Sequence, residues 1–237
     1  MSAKSLPQRM AAMAADRYRP AGRFAYYFAR GKLGGDPVFT ALLARGLIPE
    51  GARLLDLGCG QGLLAAWLDA ARASHQAGDW PDSWPAPPRL GAFRGIELMA
   101  RDVERARRAL GSLARIECAD IRSAEYGAAE VVIILDVLHY MNPASQERVL
   151  RRVHAAIGPT GVLLLRVGNA AGGLRFRVSR WVDAAVLRLR GHRQVRLYCS
   201  TLPVWSATLS DCGFKTRAIP MSEGTLFANV LLVATPQ

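Results

Sequence analysis

Leu54-Leu55-Asp56-Leu57-Gly58-Cys59-Gly60-Gln61-Gly62 is the stretch on which the reading of this chain turns. An apolar run ends in an acid, three glycines follow at every second position, and Leu63–Ala73 then carries a helical pattern. Glycines in such a strand–turn–helix let the backbone bend sharply and approach a ligand with no Cβ in the way. The amides of the turn and the amino end of the helix then face the ligand's polar groups. No Gly-Lys-Ser/Thr follows, which excludes a P-loop. The dinucleotide fingerprint G-x-G-x-x-G also fits poorly, because the third glycine comes one residue early. Asp56 would sit awkwardly beside a pyrophosphate and suits a positively charged group instead.

Outward from this turn, strand-like and helix-like segments alternate to the end of the chain. That alternation predicts βαβ units and an α/β fold with a mostly parallel sheet. Strands are expected at Arg53–Leu57, Ala92–Glu97, Arg115–Ala119, Val131–Leu135, Val162–Val167, Phe214–Ile219 and Asn229–Ala234. Val131–Leu135 is a continuous β-branched run, as a strand buried on both faces requires. A short connection, Met221–Phe227, makes the last two strands antiparallel. Helices are expected at Leu63–Ala73, Arg101–Gly111 and Ser145–Ile157, while Met1–Arg19 reads as a mobile tail or a short helix. The segment 1–43 is read as a helical lid and 44–237 as the main domain, with insertions at about 74–91 and 168–198. The first insertion, rich in Trp and Pro around Trp80 and Trp84, is a loop because its prolines break any helix.

Hydrophobic residues make up 51% of the 237 and charged residues 21%, a globular composition rather than a disordered one. The longest apolar runs are far too short to span a bilayer and no address segment is legible, so a cytoplasmic protein, peripheral at most to the inner membrane, is expected. Four scattered cysteines show neither disulfide nor zinc spacing, and no metal is expected. Thirty-one Lys+Arg against 19 Asp+Glu give a formal +12. Such an excess favours an anionic partner, although an arginine-rich composition inherited from a GC-rich genome explains it equally well.

The motif Leu54–Gly62 resembles motif I of class I S-adenosylmethionine-dependent methyltransferases, and three later stations follow in order. The resemblance implies a Rossmann-like, seven-stranded, mostly parallel sheet with an antiparallel last strand and helices on both faces. It implies S-adenosyl-L-methionine as cofactor, with Asp56, Gly58, Cys59, Gly60 and Gly62 around its methionine part. Glu97, followed by Leu98 in Gly95-Ile96-Glu97-Leu98, would take both ribose hydroxyls. Glu97 lies 35 residues after Gly62, against about 20 in a dinucleotide fold, and removing the Trp/Pro insertion restores ordinary spacing. Asp120 would meet the adenine amino group, with Ile121 against the ring. Asp136 and Val137, after the fourth strand, match the segment beside the transferable methyl.

His139, in Asp136-Val137-Leu138-His139-Tyr140, is the catalytic candidate. A neutral imidazole there could take a proton from a phenol or hydroxyl, or could simply pack on the cofactor's edge. His154 reads as solvated. The segment lacks the Asn/Asp-Pro-Pro-aromatic signature of amino-group methylation, and the chain has no Pro-Cys pair for cytosine chemistry.

The stretches Phe28–Pro37, Gly172–Arg177 and Pro220–Thr225 together resemble the methyltransferases of bacterial aryl polyene, or xanthomonadin-like, pigment pathways. That resemblance implies a phenolic or aryl acceptor, free or bound to an acyl carrier. Tyr27, Arg30 and Lys32 would then belong to a lid over substrate or cofactor. Leu174–Arg196, with seven Arg, reads as a basic amphipathic helix: a lid on the core, a dock for an acidic carrier, or a membrane-surface helix. Other readings are a methyltransferase for RNA or membrane lipid, with nucleic acid the weaker partner, and an inactive cofactor-binding module.

Overall fold

The computed structural model describes residues 5–168, 197–221 and 229–237. Seven strands form one sheet in the order β3-β2-β1-β4-β5-β7-β6, the α/β architecture that the alternating pattern predicts. The chain divides into two compact units, 1–124 and 125–237.

In the first unit, β1 (Arg53–Leu57) pairs in parallel with β2 (Ala92–Glu97), and β2 with β3 (Arg115–Cys118). Three helices precede them: α1 (Leu6–Asp16), α2 (Arg23–Gly35) and α3 (Pro37–Ala44). Within the stretch read as a tail or a short helix, Leu6–Asp16 is a well-formed helix. Ser5 and Gln8 close a capping box around its first turn and Pro7 is preset for a helix start. Asp36 caps α3 by accepting from the Val38 amide at 3.1 Å. Helix α1 packs on α2 and on α4 (Leu63–Gln76). Salt bridges Arg17–Asp69 and Arg9–Asp79 tie α1 and the residue after it to α4 and to the loop beyond. Trp67, fully buried in α4, donates from Nε1 to the Phe39 carbonyl at 2.8 Å and so fixes α3. Helix α5 (Ala100–Leu110) follows β2.

The Trp/Pro stretch contains no regular element, as its prolines dictate. It holds itself together: Trp80 Nε1 donates to the Pro85 carbonyl at 3.0 Å and the Trp80 and Trp84 rings meet edge to face.

In the second unit, β4 (Val131–Leu135) is parallel to β5 (Val162–Gly168), whose other neighbour, β7 (Asn229–Pro236), is antiparallel to it and to β6 (Phe214–Pro220). Val131 to Ile134 are completely buried, so the β-branched run occupies a central position. Helix α6 (Pro143–Ile157) is capped by Asn142, which accepts from the Ser145 amide at 2.9 Å. Helix α7 (Leu202–Asp211) precedes β6. His154, expected in solvent, is instead half-buried and meets Phe214 edge-on at 5.0 Å, because the end of α6 lies under the start of β6. The basic segment Leu174–Arg196, and with it Arg175 and Arg177, lies outside the described residues, as do Ser222 to Thr225.

Candidate active site

The glycine turn sits at the carboxyl end of β1, stapled to β2 by two bonds: the amides of Gly58 and Cys59 both donate to the Ile96 carbonyl, at 2.8 and 3.2 Å. Gly58, Gly60 and Gly62 all have positive φ, at 76°, 56° and 71°, conformations that favour glycine. Their surroundings differ. A Cβ on Gly62 would lie 2.5 Å from Leu110 Cδ1, so this glycine lets α4 start against α5. A Cβ on Gly60 would meet nothing within 4 Å. Gly60 thus faces open space where a ligand's atoms can approach the backbone.

Glu97, the last residue of β2, is nearly buried and closes the turn from the other side. Its Oε2 accepts from the Gly60 amide at 2.9 Å and its Oε1 from the Met99 amide at 2.8 Å. Each carboxylate oxygen has further acceptor capacity, which a pair of hydroxyls could use. Leu98, the next residue, has an exposed side chain, an apolar surface at the same strand end.

Asp56 is buried in β1, opposite Gly95 in the strand register. Burial first, and the negative charge of Glu97 second, push its carboxyl up to about 7. A carboxylate in this state is a ready counter-charge for a cation, whose arrival would draw it back into the ionised form. The same burial pushes the Cys59 thiol well above its usual range, so no thiolate nucleophile forms there at neutral pH.

Three side chains outside the motif complete this half of the site. Tyr18, fully buried just after α1, donates from its hydroxyl to the Gln61 carbonyl at 2.9 Å. The N-terminal helices are thereby latched to the turn itself. Gln61 in turn donates to Asp102 in α5 at 3.3 Å, and Arg105 pairs with Asp102 at 3.0 Å. Nothing in the sequence marks Tyr18 or Asp102, because both act through contacts distant along the chain.

Asp120 follows β3, where its carboxylate is held below the usual range, chiefly by hydrogen bonds from Arg122 two residues on. Ile121 beside it is buried. Of the proposed lid residues, Tyr27 is exposed, Arg30 donates to the Tyr26 hydroxyl at 3.1 Å, and Lys32 pairs with Asp36 at 2.7 Å. Their described partners thus lie within the N-terminal helices themselves.

In the second unit, Asp136 directly follows β4 with φ 60°, a left-handed conformation that Asp tolerates better than most residues. The guanidinium of Arg166, fully buried in β5, grips its carboxylate at two points, one of them Nε to Oδ1 at 2.9 Å. Val137 leads into a single 3-10 turn, Leu138–Tyr140, that carries His139. Buried Gln146 donates from Nε2 to the carbonyls of Leu138, Met141 and Tyr198, and the Tyr198 amide donates to the His139 carbonyl at 2.8 Å. These bonds clamp the turn to the chain leading into α7. His139 Nε2 is buried, the ring lies 4.1 Å from that of Tyr140, and a shallow cleft runs past it. Leu138, Arg166, Val167, Gly168, Cys199 and Trp205 line the rest.

A family model described as a methyltransferase domain matches residues 34–198. The chain belongs to this family. Residues 34–198 are thus a methyltransferase domain of that family.

Among curated relatives, the carboxy-S-adenosyl-L-methionine synthase of Chromohalobacter salexigens is 32% identical over 130 residues, 51% of this chain and 43% of that protein. The synthase of the same name from Geobacter sp. strain M21 is 31% identical over 125 residues, 52% of this chain and 48% of that protein. The matches thus span about half the length of these relatives. Solved structures with the same fold include the mitomycin 7-O-methyltransferase, 21% identical with TM-score 0.61, covering 99% of this chain and 61% of that one. Another is the magnesium protoporphyrin IX methyltransferase of Synechocystis PCC 6803 with bound SAH, 20% identical with TM-score 0.59, covering 98% of both chains.

The raised Asp56 carboxyl has a consequence for stability. In the unfolded chain this group titrates near 3.9, so the folded state holds an extra proton between roughly pH 4 and 7, and stability is lost as pH rises through that window. Asp56→Asn should remove the loss. In the cofactor-free protein, we expect the variant's unfolding free energy to gain on wild type by at least about 1 kcal/mol between pH 5 and pH 8 in urea titrations. An unchanged difference would show that Asp56 titrates normally.

Proposed function

We propose that this enzyme transfers the methyl group of S-adenosylmethionine to a phenolic or aryl acceptor, with His139 as the base. The observation that carries the reading is the position of His139. It lies on a turn clamped by Gln146, with its ring on a cleft at the carboxyl ends of β4 and β5. The cofactor, when bound, supplies an electrophilic methyl on a sulfonium.

The chain's own residues do the rest. Asp56 meets the methionine ammonium, and the Gly60 turn admits the cofactor's backbone approach. Glu97, oriented by the Gly60 and Met99 amides, takes the ribose hydroxyls, and Leu98 lies against the base. Asp120 remains our choice for the adenine amino group, which must then share the carboxylate with Arg122. His139 accepts the acceptor's phenolic proton, which raises the nucleophilicity of the oxygen and of the ortho carbon. Tyr27, Arg30 and Lys32, on the N-terminal helices, are proposed to border the acceptor. The formal +12 supports an acidic bearer for that acceptor, such as an acyl carrier protein of an aryl polyene pathway.

Loss of a charge-assisted hydrogen bond costs about 1.5–3 kcal/mol, so Glu97→Ala should weaken S-adenosylmethionine binding roughly tenfold to a hundredfold. Calorimetry with unchanged affinity would remove Glu97 from the site.

For the chemistry, a positioned base is typically worth about 10²–10⁴-fold in rate. We expect His139→Ala to lose that much turnover on a phenolic acceptor while its cofactor affinity stays at the wild-type value. Near-normal turnover, or loss explained by failure to bind cofactor, would end the assignment of His139 as base.

A further inference from the structure

Trp205 is 2% exposed, and its indole Nε1 has no hydrogen-bond partner among the described residues. An indole N–H is a donor only, and leaving a buried donor unmade costs about 1–3 kcal/mol. Buried tryptophans ordinarily find a partner, as Trp67 does with the Phe39 carbonyl. The unmet donor therefore needs a reason, and its location supplies one. Trp205 lines the same shallow cleft as His139.

A second, independent feature points the same way. Trp205 lies in the first turn of α7, a ten-residue helix whose N-cap, Thr201, makes no side-chain capping bond. The amino end of a helix carries partial positive charge and unmade N–H donors, so it favours an anionic oxygen. Cys199, two residues before that cap, also lines the cleft. The clamp through Gln146 and the Tyr198 amide holds this entrance of α7 to the turn that carries His139. One small cleft thus brings together His139, Trp205 with its unmet indole donor, and Cys199 just before the start of α7.

We infer that Trp205 Nε1–H and the amino end of α7 form the oxygen anchor of the acceptor site, a donor set for a phenolate-type oxygen beside His139. The inference rests on the phenolic reading of the acceptor and deepens it. When the O–H bond of the phenol breaks, its proton goes to the His139 imidazole and the electron pair stays on oxygen. The indole donates to that oxygen and stabilises the charge that proton transfer creates. Arg166, which also reaches the cleft, grips the Asp136 carboxylate, so the dipolar donors at α7 are suited to complement a single negative oxygen.

The probe is 4-nitrophenol, whose ionised form absorbs in the visible, added to protein saturated with S-adenosylhomocysteine. Five tryptophans give five indole N–H signals in a ¹H–¹⁵N spectrum. One of them, absent in Trp205→Phe, should move saturably as the dye binds. The dye's apparent affinity should fall about tenfold or more in Trp205→Phe, with the bound dye less ionised at a given pH and S-adenosylhomocysteine affinity unchanged. Should the variant not fold, the wild-type titration decides alone, since residue-specific assignment identifies the Trp205 signal. Dye binding that leaves this signal still overturns the inference, and so does absence of dye binding. A moving signal with no methylated product from phenols would instead defeat the phenol methyl-transfer reading and leave the anchor standing.

Discussion

Two acidic side chains held near the carboxyl ends of adjacent parallel strands organise the glycine turn beside them. Asp56 and Glu97 are both nearly buried, and the Glu97 charge makes ionisation of Asp56 less favourable. Glu97 is itself satisfied by two backbone amides, those of Gly60 and Met99. Those two bonds define the path of the glycine turn and the entrance to α5. Asp56 finds no comparable relief among the described residues, and burial pushes its carboxyl up to about 7. The fold thus maintains an acid in a partly protonated state, and a bound cation is the natural means of relieving it.

The surrounding structure serves to hold that turn still. The Tyr18 hydroxyl reaches the Gln61 carbonyl, Gln61 reaches Asp102, and Gly62 lets α4 start against Leu110 of α5. The N-terminal helices are fastened to α4 by Arg17–Asp69 and by Trp67. In the second unit the corresponding device is polar as well. Gln146 clamps three carbonyls, and Arg166 fixes Asp136 in its left-handed conformation. Both units rely on buried polar networks to define one geometry.

Much of this was legible from residues alone. The runs Leu54–Leu57 and Val131–Leu135 announce themselves as strands by composition, and the spacing of glycines after Asp56 leaves little choice for the turn. The antiparallel pairing of the last two strands follows from the short connection between them. The first helix was only half legible, because an Ala-rich, weakly patterned stretch becomes stable through packing on α2 and α4 rather than through its own propensity. His154 was misjudged for a similar reason, since its arginine-rich neighbours say nothing of Phe214. Tyr18, Asp102, Gln146, Arg166 and Trp205 carry no local signal at all. Each matters through a partner dozens of positions away or, for Trp205, through the lack of one among the described residues.

We propose that Asp56, a partly protonated carboxyl, ionises when the cofactor's cation arrives. Proton release on binding S-adenosylmethionine tests it directly, by calorimetry at pH 6.5 in buffers of different ionisation enthalpy. The wild-type enzyme should release a substantial fraction of a proton that Asp56→Asn does not release. Equal proton exchange in the two proteins would contradict the account.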